Sequence, residues 1–435
     1  MTEKIKIGMA GFGNVGNGTY AVLARNAAEI TRRAGREIEV SRVVVRRPER
    51  VIPLVSENVA VTTDWQDLVN DPEIQVVVEV MGGIEPARSL VLAAIEKGKH
   101  VVTANKALLA EHGNEIFAAA QQKGVNVAFE AAVAGSIPII KAVREGLAAN
   151  RIEWVAGIIN GTCNFILSTM RDTGRSFEDV LAEAQKLGYA EADPTFDIEG
   201  IDTAHKTMIL SSLAFGIPVD MNRIHIEGIT KLEAKDIRFA EELGYRIKLL
   251  GITKMMPYGV EIRVHPTLIS NRRLIANVEG AMNAIVVKTD AADSQLFYGK
   301  GAGSEPTGSA VIADLVDIAR TIDAKSSQRP LMPTLSTLGA TPWADFGDTQ
   351  SSYYFRIPVE DKPGVLADIA KIIAENSISI ESLIQKEPAY PDTFTEIIML
   401  THVAREADVQ RAVRTMQQLA NVRGPIVTLR KEELR

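Results

Sequence analysis

The chain has 435 residues, enough for about three domains of roughly 150 residues each. Its 48 Lys and Arg against 55 Asp and Glu leave a net charge of −7, which excludes a general nucleic-acid binder, and its single cysteine excludes a disulfide framework or a Cys-based zinc site. No signal-like apolar segment precedes the first strand, and no apolar run reaches the roughly 18 residues of a membrane span, so a reduced, cytoplasmic, membrane-free protein is expected.

The pattern predicts a short buried strand over 4–10. Gly11-Phe12-Gly13-Asn14-Val15-Gly16 follows, and 19–30 then has helical spacing through Tyr20, Leu23, Ala27 and Ile30. A G-x-G-x-x-G turn between strand and helix is the setting of a dinucleotide fingerprint. Gly11 allows the tight turn, Gly13 lets the backbone approach a pyrophosphate, and Gly16 lets the helix pack closely. The helix N-terminus offers free N–H groups to phosphates. A tight βα turn with no ligand is the alternative. The second strand, 39–45, ends in Arg46-Arg47-Pro48. An NAD site usually places an acid there for the ribose 2′-hydroxyl, whereas arginine forks match a 2′-phosphate. This favours NADP over NAD, against the alternative of solvated loop charges. A strand over 76–80, a helix over 87–97, a strand over 100–103, a helix over 108–123 and a strand over 126–130 complete a parallel doubly wound pattern. Lys106 lies just past a strand's carboxyl end, where such sheets bind ligands. The other reading is a surface lysine.

Glu130-Ala131-Ala132-Val133-Ala134-Gly135-Ser136-Ile137-Pro138 is small, apolar and turn-like. It fits either a ring of carbonyls around an ion or a tight packed crossing. A strand over 151–158 opens Asn160-Gly161-Thr162-Cys163-Asn164, where Asn160-Gly161 signals a turn. Cys163 has no histidine near it in sequence and reads as structural. The densest chemistry lies between Leu187 and Leu210, where Glu191, Asp193, Asp197, Glu199 and Asp202 crowd a segment that also holds Gly, Pro and apolar residues. Asp202 and Lys206 stand four apart at the start of a helix, on one face. An acid beside an ammonium orients it, and partial burial makes the lysine a usable proton donor or acceptor. A plain surface ion pair is the competing reading. A second glycine-rich stretch, 298–309, precedes a helix over 310–323. It either closes over a cofactor or returns the chain to the first domain.

Residues 324–350 read as a connecting segment. Beyond them the predicted order is strand 353–359, helix 366–376, strands 378–385 and 393–402, helix 407–419 and strand 426–429. This βαββαβ order is that of a ferredoxin-like unit. Asp361 is expected to cap its first helix, with Pro363-Gly364 setting the approach. The exposed edges of such units favour pairing, so an oligomer is expected.

These residues together resemble bacterial homoserine dehydrogenase in its monofunctional form with a C-terminal ACT domain. The likeness is carried most specifically by Asn160-Gly161-Thr162-Cys163-Asn164, by Gly188-Tyr189-Ala190-Glu191-Ala192-Asp193-Pro194, by Asp197 and by Gly200-Ile201-Asp202-Thr203-Ala204-His205-Lys206. Thr103-Ala104-Asn105-Lys106 fits as well. The resemblance implies an α/β nucleotide-binding Rossmann domain over 1–135. It implies an α+β catalytic and dimerisation domain over 136–323 whose last helix returns to the first domain, a linker over 324–350 and an ACT domain over 351–435. It implies reversible NAD(P)-dependent reduction of L-aspartate 4-semialdehyde to L-homoserine, in threonine and methionine biosynthesis.

On this resemblance Lys206 is the proton-transfer lysine with Asp202 beside it, and Lys106 lies near substrate and nicotinamide. Glu191 binds substrate through its ammonium, with Asp197 assisting. Phe12, Asn14, Val15, Arg46, Lys106, Gly188 and Gly303 join the three fingerprint glycines at the cofactor. Glu130, Val133, Gly135 and Ile137 hold a sodium-like ion, largely through carbonyls. The Asp361-Lys362-Pro363-Gly364-Val365-Leu366 motif resembles an effector loop, with threonine the expected effector at Asp361, Gly364, Val365 and Leu366. A homodimer or homotetramer is implied, with no nucleic acid or membrane partner. Three alternatives stand against this: an aspartate-semialdehyde dehydrogenase, a nicotinamide-sensing regulator without catalysis, and a pure binding protein. The first needs a cysteine nucleophile, and Cys163 lies in the wrong motif. The second should carry a basic nucleic-acid-binding module.

Overall fold

A computed structural model describes residues 4–324, 341–385 and 394–434. The elements in chain order are β1 (Ile5–Ala10), α1 (Asn14–Arg25), α2 (Ala27–Ala34), β2 (Ile38–Val44), β3 (Ala60–Thr62), α3 (Gln66–Asn70), β4 (Val76–Glu79), α4 (Ala87–Glu96), β5 (His100–Thr103), α5 (Lys106–Lys123) and β6 (Val127–Ala128). Then come α6 (Ile139–Lys141), β7 (Ile152–Ile158), α7 (Gly161–Thr173), α8 (Phe177–Lys186), α9 (Thr195–Ile198), α10 (Ile201–Phe215), β8 (His225–Ile226), α11 (Ala234–Glu242), β9 (Tyr245–Met256) and β10 (Gly259–Ser270). The last are β11 (Met282–Thr289), β12 (Asp293–Lys300), α12 (Ser304–Thr321), β13 (Gln350–Glu360), α13 (Val365–Glu375), β14 (Ile380–Gln385), β15 (Phe394–Thr401), β16 (Ala404–Arg405), α14 (Glu406–Met416) and β17 (Val427–Glu432). Two compact units result. One holds Met1–Val155, His205–Arg223 and Met282–Thr341, and the other Ala156–Ala204, Ile224–Ala281 and Pro342–Arg435.

In the first unit six parallel strands lie in the order β3-β2-β1-β4-β5-β6. The order reverses between β1 and β4, so a crevice opens at their carboxyl ends. Ile5, Ile7, Met9, Val76, Val78 and Val102 share one core with Val311 and Leu315 of α12. Helix α12 lies against α1 because glycine removes the bulk at both contacts. A Cβ on Gly18 would sit 2.3 Å from the Ser304 carbonyl, and one on Gly308 would sit 2.6 Å from Thr19 N. Ser304 Oγ donates to the Asn14 carbonyl at 2.5 Å, and Arg25 grips Glu305 through both nitrogens. The glycine-rich stretch therefore does bring the chain back onto the nucleotide unit. The single helix predicted over 19–30 is instead two, because Asn26 leaves helical geometry at φ −107°, ψ 19°. The strand predicted over 126–130 shortens to two residues, because Glu130–Ala132 turns into a 3₁₀ helix.

In the second unit one sheet runs β9-β10-β17-β13-β15-β14, with β8 beside β10 and β16 beside β13. Its last four strands with α13 and α14 are the predicted βαββαβ unit, and both helices pack on Tyr353, Phe355, Ile357 and Met399. Strand β17 pairs parallel with β10, Thr267 opposite Arg430. The expected cap at Asp361 is not made. Gly364 occupies the cap of α13 at φ +94°, a backbone state that glycine adopts without strain, and no side chain closes it. The segment expected as a connector falls largely on 325–340, and Thr393 on 386–393, both outside the described residues. Among the described residues no helix is long and apolar enough to cross a membrane.

Candidate active site

The nucleotide side is built at the carboxyl end of the first sheet. Gly11 has φ +99°, and a Cβ there would strike the Val80 carbonyl at 2.6 Å. A Cβ on Gly16 would meet the Gly11 carbonyl at 2.5 Å, so the first turn of α1 rests directly on the loop. At Gly13, the N-cap of α1, a Cβ would meet nothing within 4 Å. That open face in front of a helix N-terminus fits a pyrophosphate. Phe12, Asn14 and Val15 complete the turn, with the Phe12 ring tilted against Tyr20 at 5.7 Å. Arg46 and Arg47 are exposed just past β2 and have no ion-pair partner among the described residues. Gly303, at φ +136°, caps α12 in the same unit.

Lys106 is the first residue of α5, and the loop behind it is fixed by a chain of polar contacts that the sequence pattern does not disclose. Thr103 Oγ1 donates to Glu79 at 2.6 Å, Asn105 N donates to Thr103 Oγ1 at 3.0 Å, and the Asn105 amide donates to the Gly83 carbonyl at 2.7 Å. Asn105 Oδ1 in turn accepts from Leu108 N and caps the helix. Glu79 is fully buried, and that burial pushes its carboxyl pKa up. The only signals were one acid in an otherwise apolar strand and an Asn at a helix start.

The second unit gathers the acids. Asn160 caps α7 by accepting from Cys163 N at 2.8 Å. Its amide nitrogen donates to Asp197 at 2.7 Å and to Asp202 at 2.9 Å. Two of the predicted site residues thus meet across one side chain that the sequence places in a turn and in the motif of the family likeness, with no site role of its own. Thr162 Oγ1 donates to the Tyr189 carbonyl at 2.7 Å, tying the 187–195 loop to α7. Gly188, at φ +77°, turns that loop with open space around it. Glu191 is exposed, and its carbonyl is held by Gln185 at 3.1 Å. Cys163 is buried, with its thiol donating to the Asp197 carbonyl at 3.2 Å. Helix α10 begins in this unit with Asp202, buried, and one turn along the same helix Lys206, half-buried, already belongs to the first unit.

Glu130, Val133, Gly135 and Ile137 are all buried. The two oxygens of Glu130 each accept one main-chain amide, from Ile140 and Lys141 at 2.8 and 2.9 Å, which fixes the carboxylate in place. Ala134 and Gly135 are consecutive left-handed residues, φ 56° and 54°, which bends the main chain sharply there. Among the described residues no cluster of three His, Cys, Asp or Glu could hold a metal. In the βαββαβ unit, Val365 is buried, Leu366 is exposed, and Asp361 accepts weakly from Gln385 at 3.4 Å.

Comparison with known proteins is consistent along the whole chain. Residues 11–130 match the family described as homoserine dehydrogenase, NAD binding domain, and 138–316 match the family described as homoserine dehydrogenase. Residues 353–421 match the ACT domain. The homoserine dehydrogenase of Pseudomonas aeruginosa is 54% identical, over 99% of this chain and 100% of its own. The crystal structure of a homoserine dehydrogenase from Thiobacillus denitrificans is 57% identical with a TM-score of 0.95, covering 100% of this chain and 99% of that one. A hyperthermophilic archaeal homoserine dehydrogenase in complex with NADPH is 26% identical with a TM-score of 0.64, over 74% of this chain and 99% of that one.

Proposed function

The chain belongs to the homoserine dehydrogenase family, an oxidoreductase with an ACT domain, and from that premise we propose how its residues divide the work. The substrate pair is L-aspartate 4-semialdehyde and L-homoserine, and the coenzyme is NADP in preference to NAD. Arg46 and Arg47 support that preference, because guanidinium forks suit a 2′-phosphate. Held at the Gly11-to-Gly16 turn, such a coenzyme would supply or take up the hydride at the carbon that is aldehyde in one substrate and alcohol in the other.

Lys206 protonates the oxygen as the alcohol forms and accepts that proton in the reverse direction. Its ammonium also stabilises the negative charge that grows on the oxygen. Asp202 orients it from one helical turn away, and Lys106, at the start of α5, assists at the same oxygen. Glu191 receives the substrate ammonium, with Asp197 supporting. The observation that carries this reading is the anchoring of Asp202 on the helix that bears Lys206. It accounts for proton transfer without a metal or thiol nucleophile. Lys206→Ala should lower turnover about 10³-fold or more while NADP still binds. Near-normal turnover sinks the assignment.

Four finer points belong to the same proposal. Glu130, Val133, Gly135 and Ile137 hold a monovalent cation such as sodium through main-chain carbonyls. Threonine binds the ACT unit at Asp361, Gly364, Val365 and Leu366 and lowers activity. The enzyme works as a homodimer or homotetramer, which the exposed Leu296 and Tyr298 on β12 favour. It works in the cytoplasm, where the lone thiol stays reduced. Steady-state kinetics with and without threonine and with sodium replaced by a larger cation test the first two, and light scattering tests the third.

A further inference from the structure

We propose that Asn160 is a positioning residue of this active site, one that holds Asp197 and Asp202 as an ordered pair of carboxylates. The proposal rests on the reading above that Asp202 and Lys206 serve proton transfer. Three observations carry it. First, Asn160 is 5% exposed, and its oxygen and both of its N–H donors are engaged. Its oxygen takes the Cys163 amide, and its nitrogen gives one hydrogen to each acid. Second, the two acids sit on different elements, Asp197 in α9 and Asp202 in α10, with Gly200 at φ +82° turning the chain between them. Backbone continuity alone does not fix their carboxyl groups relative to each other. Third, two carboxylates within reach of one nitrogen repel, and the burial of Asp202 makes the repulsion stronger. Two N–H donors aimed one at each acid offset that repulsion without adding a charge.

The consequence is mechanistic rather than merely structural. With one oxygen of Asp202 fixed by Asn160, the other has a defined direction. A residue that only capped α7 would have no such effect. Asn and Asp cap helices about equally well. Asn160→Asp therefore keeps the cap and the shape but replaces the shared NH₂ with a third carboxylate. Such a trio retains a proton more readily than the native pair does, and a retained proton stands in for one lost donor.

The test compares Asn160→Asp, Asn160→Ser and Lys206→Ala in the full-length protein. Readouts are the pH profile of homoserine oxidation and NADP binding followed by fluorescence quenching. At pH 8, Asn160→Asp is expected to lose about 100-fold and Asn160→Ser about 10-fold in kcat/KM for homoserine, with NADP affinity within about 2-fold of native. Relative to wild type, Asn160→Asp should recover as pH falls, whereas Asn160→Ser should not. If Lys206→Ala is inactive while both Asn160 variants stay within about 2-fold and keep the native pH profile, the positioning role is wrong and the catalytic reading stands. If Lys206→Ala is itself active, the catalytic reading fails first. Should Asn160→Asp not fold, Asn160→Ser carries the same decision, since it keeps a capping oxygen and adds no charge.

Discussion

Replacing Glu432 by Gln tests whether the ACT unit is held to β10 by charge. Glu432 is 5% exposed on β17 and accepts from Arg263 Nη2 at 2.6 Å and Lys254 Nζ at 2.7 Å. Burial alone would raise its carboxyl pKa. The Arg263 and Lys254 charges instead hold it down to about 2, against an ordinary 4.5. The folded pKa lies below the unfolded one, so the stabilisation is fully present above about pH 4.5 and fades as pH falls toward 2. The difference corresponds to about 3 kcal/mol. Removing one partner of a buried pair costs about 3–5 kcal/mol in general. The lower end applies here, because Gln still offers Arg263 an oxygen, Glu261 still accepts from Arg263 at 2.6 Å, and Lys254 lies near solvent. Urea unfolding at pH 7 should therefore place Glu432→Gln about 3 kcal/mol below wild type. By pH 3.5 the gap should narrow by about 1 kcal/mol, as unfolded carboxylates begin to protonate. A gap under about 1 kcal/mol at pH 7, or one that widens on acidification, refutes the reasoning.

Further expectations follow from the same physical terms. Asp314 is buried against Glu130, and burial with the Glu130 charge pushes its pKa up from 3.8 to about 7. The folded state therefore holds its proton more tightly, and wild-type stability declines as pH rises from about 4 to about 7. Asp314→Asn keeps an acceptor for Glu130 N, and should melt higher than wild type at pH 8 by about 2–4 kcal/mol, with the advantage gone near pH 4. A constant advantage across pH contradicts this. Cys163→Ala should cost about 1–2 kcal/mol through a small cavity and leave turnover within a few-fold. Total loss of turnover in the folded variant would instead revive thiol chemistry. Replacing Arg46 and Arg47 by Ala should raise KM for NADP about 10–100-fold with little change for NAD. Equal changes for both coenzymes remove the 2′-phosphate assignment.

What could be read from the sequence was whatever is written locally. The fingerprint turn is local as a pattern, because Gly11, Gly13 and Gly16 fall within six residues, although the bare Cα of Gly11 also makes room for the distant Val80 carbonyl. The placing of Asp202 and Lys206 one turn apart is local, because both lie on the helix that the spacing predicts. The βαββαβ order is local too, since each element is an unbroken run bounded by turn residues. The misreadings are also local in origin. Asn26 divides a helix whose apolar spacing continues across it, and Asp361 looked like a cap although Gly364 supplies the required backbone state.

The parts that could not be read depend on pairings distant in sequence. Glu261-Ile262-Arg263-Val264-His265 alternates polar and apolar, the pattern of a strand with one face in water. All five are buried, because β17 returns from far along the chain and supplies Glu432 to Arg263. Arg430, two residues earlier on β17, meets Glu227 and Glu406 in the same way. Alternation states only that two faces differ. It does not state that the polar face is dry, and only the partner's charge makes that face tolerable. Asn160 is the same case at smaller scale. Its hydrogen bonds reach 37 and 42 residues ahead, so the sequence shows a turn where the folded chain has a bridge between two acids. Where a polar residue is needed at a turn and also at a site, the local reason hides the distant one. A substitution that preserves the first and removes the second, as Asn160→Asp does, separates them.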